Sequence, residues 1–111
     1  MSMTSDIIRG HTETIILARL LSHDSYGYEI SKSIRERTAG TFDPKEGTLY
    51  TAFRRLEQAG YIRSYWGDAS GGARRRYYSI TEEGRIYFFR SREEWQKLKV
   101  LIDCLIETDP V

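Results

Sequence analysis

Only one cysteine, two prolines and two histidines occur in this chain of 111 residues. The lone thiol, Cys104, rules out an intrachain disulfide, so nothing implies an oxidising compartment. Its neighbours Ile102, Leu105 and Ile106 are apolar, and a packed, inert thiol is expected there. His11 and His23 have no cysteine near them and no metal-ligand spacing. Nucleophile elbow, phosphate-binding glycine loop and cysteine–histidine pair are all missing, so no metal, cofactor or enzymatic reaction is expected. Apolar runs fall well short of the roughly 18 residues that a membrane span needs. The start, MSMTSDIIRGH, lacks the apolar core and cleavage site of a secretory signal. The expected compartment is the cytoplasm.

An excess of charge is missing too. The net charge is only +1, so attraction to a polyanion cannot rest on the total. It can rest on distribution. From Lys45 to Tyr78 seven basic residues stand against three acidic ones, a net +4 that leaves −3 for the remainder. Hydrophobic residues at 40% and charged residues at 30% suit one folded domain with a small core.

Periodicity then places the elements. Ile7, Ile8, Ile15, Ile16, Leu20 and Leu21 recur at helical spacing, which predicts one helix over about 5–22. Ser25 is the expected cap of a second helix reaching about Thr38, with Tyr26, Ile30 and Ile34 on one face. Pro44 suits the first turn of a third helix, with Asp43 as its cap and Leu49, Phe53 and Leu56 as its core stripe. Gly60 ends that helix. Strands follow over about Tyr61–Trp66 and Arg75–Ile80, joined by GDASGG. Trp66, Tyr77 and Tyr78 are expected to pack this sheet on the helices. Thr81 caps a last helix running to about Glu107, with Glu82 and Glu83 favourable in its first turn.

That last helix carries two series spaced by seven: Phe88, Trp95 and Ile102, and Ser91, Leu98 and Leu105. Offset by three, they form an a/d seam that needs a partner surface, most simply a second copy of the chain. The fold class expected is α+β, mostly α: a winged helix-turn-helix domain over 1–81, and a long C-terminal dimerisation helix over 82–111 in one continuous unit.

A polar helix followed at once by an arginine-bearing hairpin is suited to double-stranded DNA, the helix in the major groove and the hairpin on the backbone or in the adjacent minor groove. Thr48, Tyr50, Thr51, Arg54 and Arg55 lie off the core stripe of the third helix. Gly71-Gly72 permits close backbone approach, and Arg74-Arg75-Arg76 puts guanidinium groups on both faces of the ribbon, Arg76 opposite Arg75. Tyr26 and Tyr28 can bring a hydroxyl to phosphate near a helix start, or pack in the core. The competing reading is a winged-helix protein–protein adaptor without DNA binding, which would need no focused basic surface.

The segments RGHTETIILARLL, YGYEISKSIRE, GTLYTAFRRLEQAGYI and GGARRRYYSITEEGR resemble, in order, the signature blocks of PadR-like transcriptional regulators. The similarity runs from Ile8 to about Ile106, and the short chain with one C-terminal helix is similar to the small, multidrug-binding subfamily. The resemblance implies a repressor acting as a homodimer on a palindromic operator. It implies DNA contacts at Thr48, Tyr50, Thr51, Arg54, Arg74 and Arg75, and a dimer interface in which Ile8 and Ile15 join the seam residues. It also implies a pore where planar aromatic, often cationic, compounds stack on Trp95, with Ile16, Leu20, Phe88, Arg92 and Lys99 around it. Lys99 is a departure, since that place is acidic in the drug-binding relatives.

Overall fold

The computed structural model describes residues 3–68 and 74–109. Gly72 and the greater part of the GDASGG segment lie outside the described residues. Helices α1 (Met3–Arg9) and α2 (Thr12–Leu20) lead into a two-residue strand β1 (Ser25–Tyr26), followed by α3 (Gly27–Arg37) and α4 (Glu46–Gln58). The hairpin β2 (Ile62–Asp68) and β3 (Arg74–Ile80) comes next, and α5 (Glu82–Ile106) closes the chain.

The single first helix expected over 5–22 is in fact two. The Thr12 hydroxyl donates to the Arg9 carbonyl at 2.7 Å, and the Gly10 and His11 amides turn back to Ile7 and Ile8. Glycine is a poor helix former, so the break falls where continuing the helix gains least. Ser25 is not the cap of α3 either. Tyr26 occupies that position, and the buried Ser25 hydroxyl donates instead to the Glu29 carboxylate. The backbone of both residues is engaged in a sheet, Ser25 opposite Tyr78 and Tyr26 opposite Tyr77, giving the antiparallel order β1-β3-β2.

Helix α4 begins at Glu46, two residues later than Pro44 suggests, and Asp43 pairs with Arg35 at 3.4 Å instead of capping it. Its end is as the sequence indicates: Gly60 has φ +82°, and the Tyr61 amide reaches back to the Leu56 carbonyl at 2.9 Å. The core collects Ile16, Leu17 and Leu20 from α2, Ile30 and Ile34 from α3, Leu49, Phe53 and Leu56 from α4, and Ile62, Tyr78, Ile80 and Phe88. Phe53 and Tyr78 stack at 4.2 Å.

The start of α5 is pinned to this core. Thr81 donates its hydroxyl to the Gly60 carbonyl at 2.7 Å and accepts the Gly84 amide at 3.0 Å. Arg85 donates to the Leu21 carbonyl at 3.1 Å, tying α5 to the end of α2. From Arg92 to Asp109 every residue is exposed, so the helix leaves the domain and stretches the molecule to 66 × 30 × 21 Å. Cys104, expected to be packed, is exposed on that projecting part.

Gly84 sets a sharp limit on the pinned turn. A Cβ there would lie 2.1 Å from the Tyr61 carbonyl oxygen and 2.9 Å from Ile80 Cγ1. Gly84→Ala is therefore expected to cost about 2 kcal/mol or more, lowering the melting temperature by roughly 10 °C. Gly47→Ala is the control, because nothing lies within 4 Å of a Cβ at that helical position. Thermal unfolding followed by circular dichroism compares the two, and equal melting temperatures would contradict the packing at Gly84.

Candidate nucleic-acid interface

Burying Leu49, Ala52, Phe53 and Leu56 turns the opposite side of α4 to solvent, and Tyr50, Thr51, Arg54 and Arg55 are exposed there with Thr48 half-buried. Arg54 and Arg55 make no ion pair with any described residue, so both guanidinium groups keep their full donor sets for a ligand. The Thr51 hydroxyl donates to the Gly47 carbonyl at 2.9 Å, which leaves it an acceptor toward anything bound on this face.

Two grooves flank α4. One, of about 690 Å³, lies between α4, the start of α3 and the hairpin, and is lined by Tyr26, Tyr28, Tyr50, Trp66, Arg74 and Arg75 among others. The other, of about 430 Å³, runs between α4 and the α1–α2 junction and holds Thr48, Thr51 and Arg55, with Arg9 and Glu13 on its far wall. The residues expected to meet DNA are thus divided: Tyr26, Tyr50, Arg74 and Arg75 on one side, Thr48, Thr51 and Arg55 on the other. Arg54 lines neither groove and stands exposed on α4.

Strand alternation sorts the three hairpin arginines. Tyr78 and Ile80 are buried against the helices, so Arg76 and Arg74 share that inner side and Arg75 shares the outer side with Tyr77. Arg74 sits 5.4 Å from the centre of the Trp66 ring and Arg75 4.6 Å from that of Tyr26, both cation–π distances. Arg76 bonds Glu57 of α4 at 3.1 Å and Ser64 of β2 at 2.9 Å. Trp66 corrects an expectation: it does not pack the sheet on the helices but is 58% exposed along the first groove. Tyr78 is buried as expected, and that burial raises its phenol above the ordinary value.

The outer side of the sheet is a row of rings. Tyr65 stacks on Tyr77 at 5.7 Å, and Tyr77 meets Tyr26 edge-on at 5.4 Å. Tyr65 donates to Asp24, a hydrogen bond that holds its phenol above the ordinary value. The two-residue β1 that puts Tyr26 beside Arg75 gave no periodic signal, being too short to show alternation.

A separate apolar groove of about 600 Å³ lies where α5 crosses the α1–α2 junction. Ile8, Ile15, Phe88, Ser91, Arg92, Trp95 and Leu98 line it, as do His11 and Glu94. His11 meets Trp95 edge-on at 4.7 Å. Two residues expected around a ligand are elsewhere: Ile16 and Leu20 are 0% and 1% exposed inside the core and cannot reach a guest. Lys99, also expected there, lies farther along α5 outside the groove, while Glu94 places a carboxylate within it. Phe88 serves both regions, since its side chain is already part of the core. Ile102 and Leu105 continue along α5 beyond the groove and are exposed. No helix among the described residues is long and apolar enough to cross a membrane.

Comparisons with known proteins agree with this architecture. A transcriptional regulator from Clostridium thermocellum has a solved structure that is 49% identical, covers 96% of this chain and 100% of its own, and superposes with a TM-score of 0.86. A PadR-family transcription regulator from Clostridium difficile R20291 is 38% identical over 88% of this chain and 100% of its own, with a TM-score of 0.78. The transcriptional regulator YqjI of Escherichia coli K12 is 28% identical over 81% of this chain, which spans 42% of that longer protein. The family model described as the transcriptional regulator PadR-like family matches residues 16–90. Winged-helix architecture, matched residues and solved relatives together place the chain in the PadR-like family of transcriptional regulators, a family of regulators and not of enzymes.

Proposed function

We propose that this regulator is a homodimeric repressor that reads a palindromic operator with α4 and the hairpin, working in the cytoplasm. The observation that carries the reading is the set of exposed basic groups on α4 and in the groove beside it. Arg54 and Arg55 on α4 are exposed and make no ion pair with a described residue, and Arg74 and Arg75 line the groove next to that helix. One helix fits the major groove and the adjoining ribbon meets the flanking backbone. Residues 1–81 act in this reading as the DNA-binding unit and 82–111 as the dimerisation helix. Two copies on one axis then present two α4 helices to the two half-sites.

Dimerisation through α5 and the α1–α2 region is supported by what one chain leaves uncovered. Trp95, Leu98, Ile102 and Leu105 are 39%, 43%, 44% and 77% exposed. An apolar row of that length in water marks an interaction surface. The same groove is proposed to admit a planar aromatic effector that stacks on Trp95 and prefers a dimer with wrongly spaced α4 helices. Likeness to the small single-helix subfamily, and to the multidrug-binding repressor LmrR, supports this part. Glu94 in the groove supplies the acidic group that Lys99 does not, and suits a cation.

Salt tests the DNA reading. If Arg54, Arg55, Arg74 and Arg75 of both subunits each neutralise one phosphate, the logarithm of the association constant should fall against the logarithm of salt with a slope of about −7. Fluorescence anisotropy on the tightest-binding duplex selected from a random pool measures it. Absence of binding, or binding indifferent to salt, would overturn the reading.

A further inference from the structure

We propose that Arg76 is a positioning residue: with Glu57 and Ser64 it locks the hairpin onto α4, and so aims Arg74 and Arg75. The proposal rests on the DNA reading above but assigns Arg76 and Glu57 a part in it that neither DNA contact nor core packing covers.

Three elements contribute one residue each. Glu57 lies in the last turn of α4, Ser64 in β2 and Arg76 in β3. Ser64 donates to one Glu57 carboxylate oxygen at 2.6 Å, Arg76 donates to the other at 3.1 Å, and Arg76 also donates to the Ser64 hydroxyl at 2.9 Å. The triangle is closed, and both carboxylate oxygens of Glu57 are engaged. Both bonds leave one nitrogen of Arg76, Nη2, whose two hydrogens allow it to hold two partners at once.

This triangle sits at the base of the exposed end of the hairpin. Beyond it lie Arg75 opposite Gly67 and Arg74 opposite Asp68. A small rotation at the base therefore displaces both arginines relative to α4. The Arg76 and Glu57 side chains are 47% and 36% exposed, and pairs so close to solvent contribute little to global stability. What the triangle supplies is an angle between helix and hairpin. Arg76 is also a hairpin arginine whose charge is already answered within the protein, whereas Arg74 and Arg75 rest on aromatic rings.

The sign of one substitution separates this role from plain electrostatics. Glu57→Gln removes a negative charge from the helix proposed to face DNA, which by charge alone should tighten binding. The lock requires the opposite, a loss of about threefold or more. The probe is the tightest-binding duplex that the wild-type protein selects from a random pool, with affinity measured by anisotropy over a salt series and folding checked by thermal melts.

Glu57→Gln and Arg76→Gln are both expected to weaken binding with unchanged melting temperatures, and the double variant to be no weaker than the worse single one. Arg75→Gln should flatten the salt slope by about 0.9 per subunit, and Arg76→Gln should flatten it only through the lost aim, to the same extent as Glu57→Gln. Arg76→Lys should recover part of the affinity relative to Arg76→Gln, but only while Glu57 is present. The lock is overturned if Glu57→Gln binds as well as wild type or better, or if Arg76→Gln flattens the slope while Glu57→Gln leaves it at the wild-type value. A wild-type protein that selects no duplex overturns the DNA reading and the lock together. A wild type that binds while Glu57→Gln is not weakened overturns the lock alone.

Discussion

Arg54→Ala is expected to weaken operator binding by about 2–6 kcal/mol, at least thirtyfold, while leaving the fold intact. The size follows from symmetry. A guanidinium bound in fork fashion to guanine or phosphate contributes about 1–3 kcal/mol, and a dimer on a palindrome loses that contribution twice in one binding event. The fold is spared because Arg54 is exposed and makes no ion pair with a described residue, so its removal leaves no buried group unsatisfied. Surface changes of that kind stay within about 0.5 kcal/mol of wild-type stability. A gel-shift titration at fixed salt, alongside a melting curve, reads both quantities. Unchanged affinity would remove Arg54 from the interface, and would leave the grooves beside α4 as the only candidates on that helix.

Whether Arg54 reads a base or grips phosphate is a further question that the same variant answers. Loss of a base contact relaxes preference at one position of each half-site. Loss of a phosphate contact weakens all duplexes alike and flattens the salt slope.

Much of this interface was legible in the chain before any coordinates. Leu49, Phe53 and Leu56 share a helical stripe, so the exposed positions of α4 follow by geometry once that stripe is buried. Gly60 and Thr81 also act locally, through a left-handed turn and a side-chain cap, and local signals survive in sequence. What failed to show was decided by distant partners. β1 exists because β3 offers it a free edge, and two residues cannot display alternation. At the break after Gly10 the Thr12 hydroxyl takes the Arg9 carbonyl, a contact that spacing does not announce. The Glu57–Ser64–Arg76 triangle requires the register that pairs Trp66 with Arg76, which no spacing rule supplies.

The second site was legible as a seam but not in its depth. Spacing by seven located Trp95, Leu98, Ile102 and Leu105 without saying which apolar residues of the first helices face them. Ile15 and Ile16 look equivalent in sequence, yet Ile15 lines the groove and Ile16 is sealed in the core. The 100° step of a helix separates adjacent residues onto different surfaces, and the break at Gly10 shifts the phase that a continuous helix would have had. Glu93 and Glu94 were both candidates for the acid in the groove, and which of them enters it was open for the same reason. On α5, Glu93 pairs with Lys97 at 3.7 Å, while its neighbour Glu94 borders the cavity.

Trp95→Ala is the variant expected to act on both proposed properties of that groove, the dimer and the effector. Trp95 sits edge-on to His11 at 4.7 Å and shares the groove with Leu98, so its indole is the largest apolar side chain between α5 and the α1–α2 junction. Cutting a packed tryptophan to alanine costs about 3–5 kcal/mol in a protein interior. At a symmetric interface both copies vanish together, and the dimer dissociation constant should rise by at least two orders of magnitude. Monomer stability should change much less, because Trp95 is 39% exposed in one chain and stands outside the core. Sedimentation velocity over a concentration series then shows dissociation, with circular dichroism showing retained helix. Operator affinity should fall with the dimer, since one half-site contact is all that a monomer can make. A planar cationic dye such as ethidium tests the other property: it should quench wild-type tryptophan fluorescence and bind the variant far more weakly. Trp95→Phe should keep most of the dimer while losing part of the dye affinity, because a smaller ring fills less of the groove but still stacks. Unaltered sedimentation together with unaltered dye binding in Trp95→Ala would strip Trp95 of both roles and move the search for a dimer surface farther along α5, to Ile102 and Leu105.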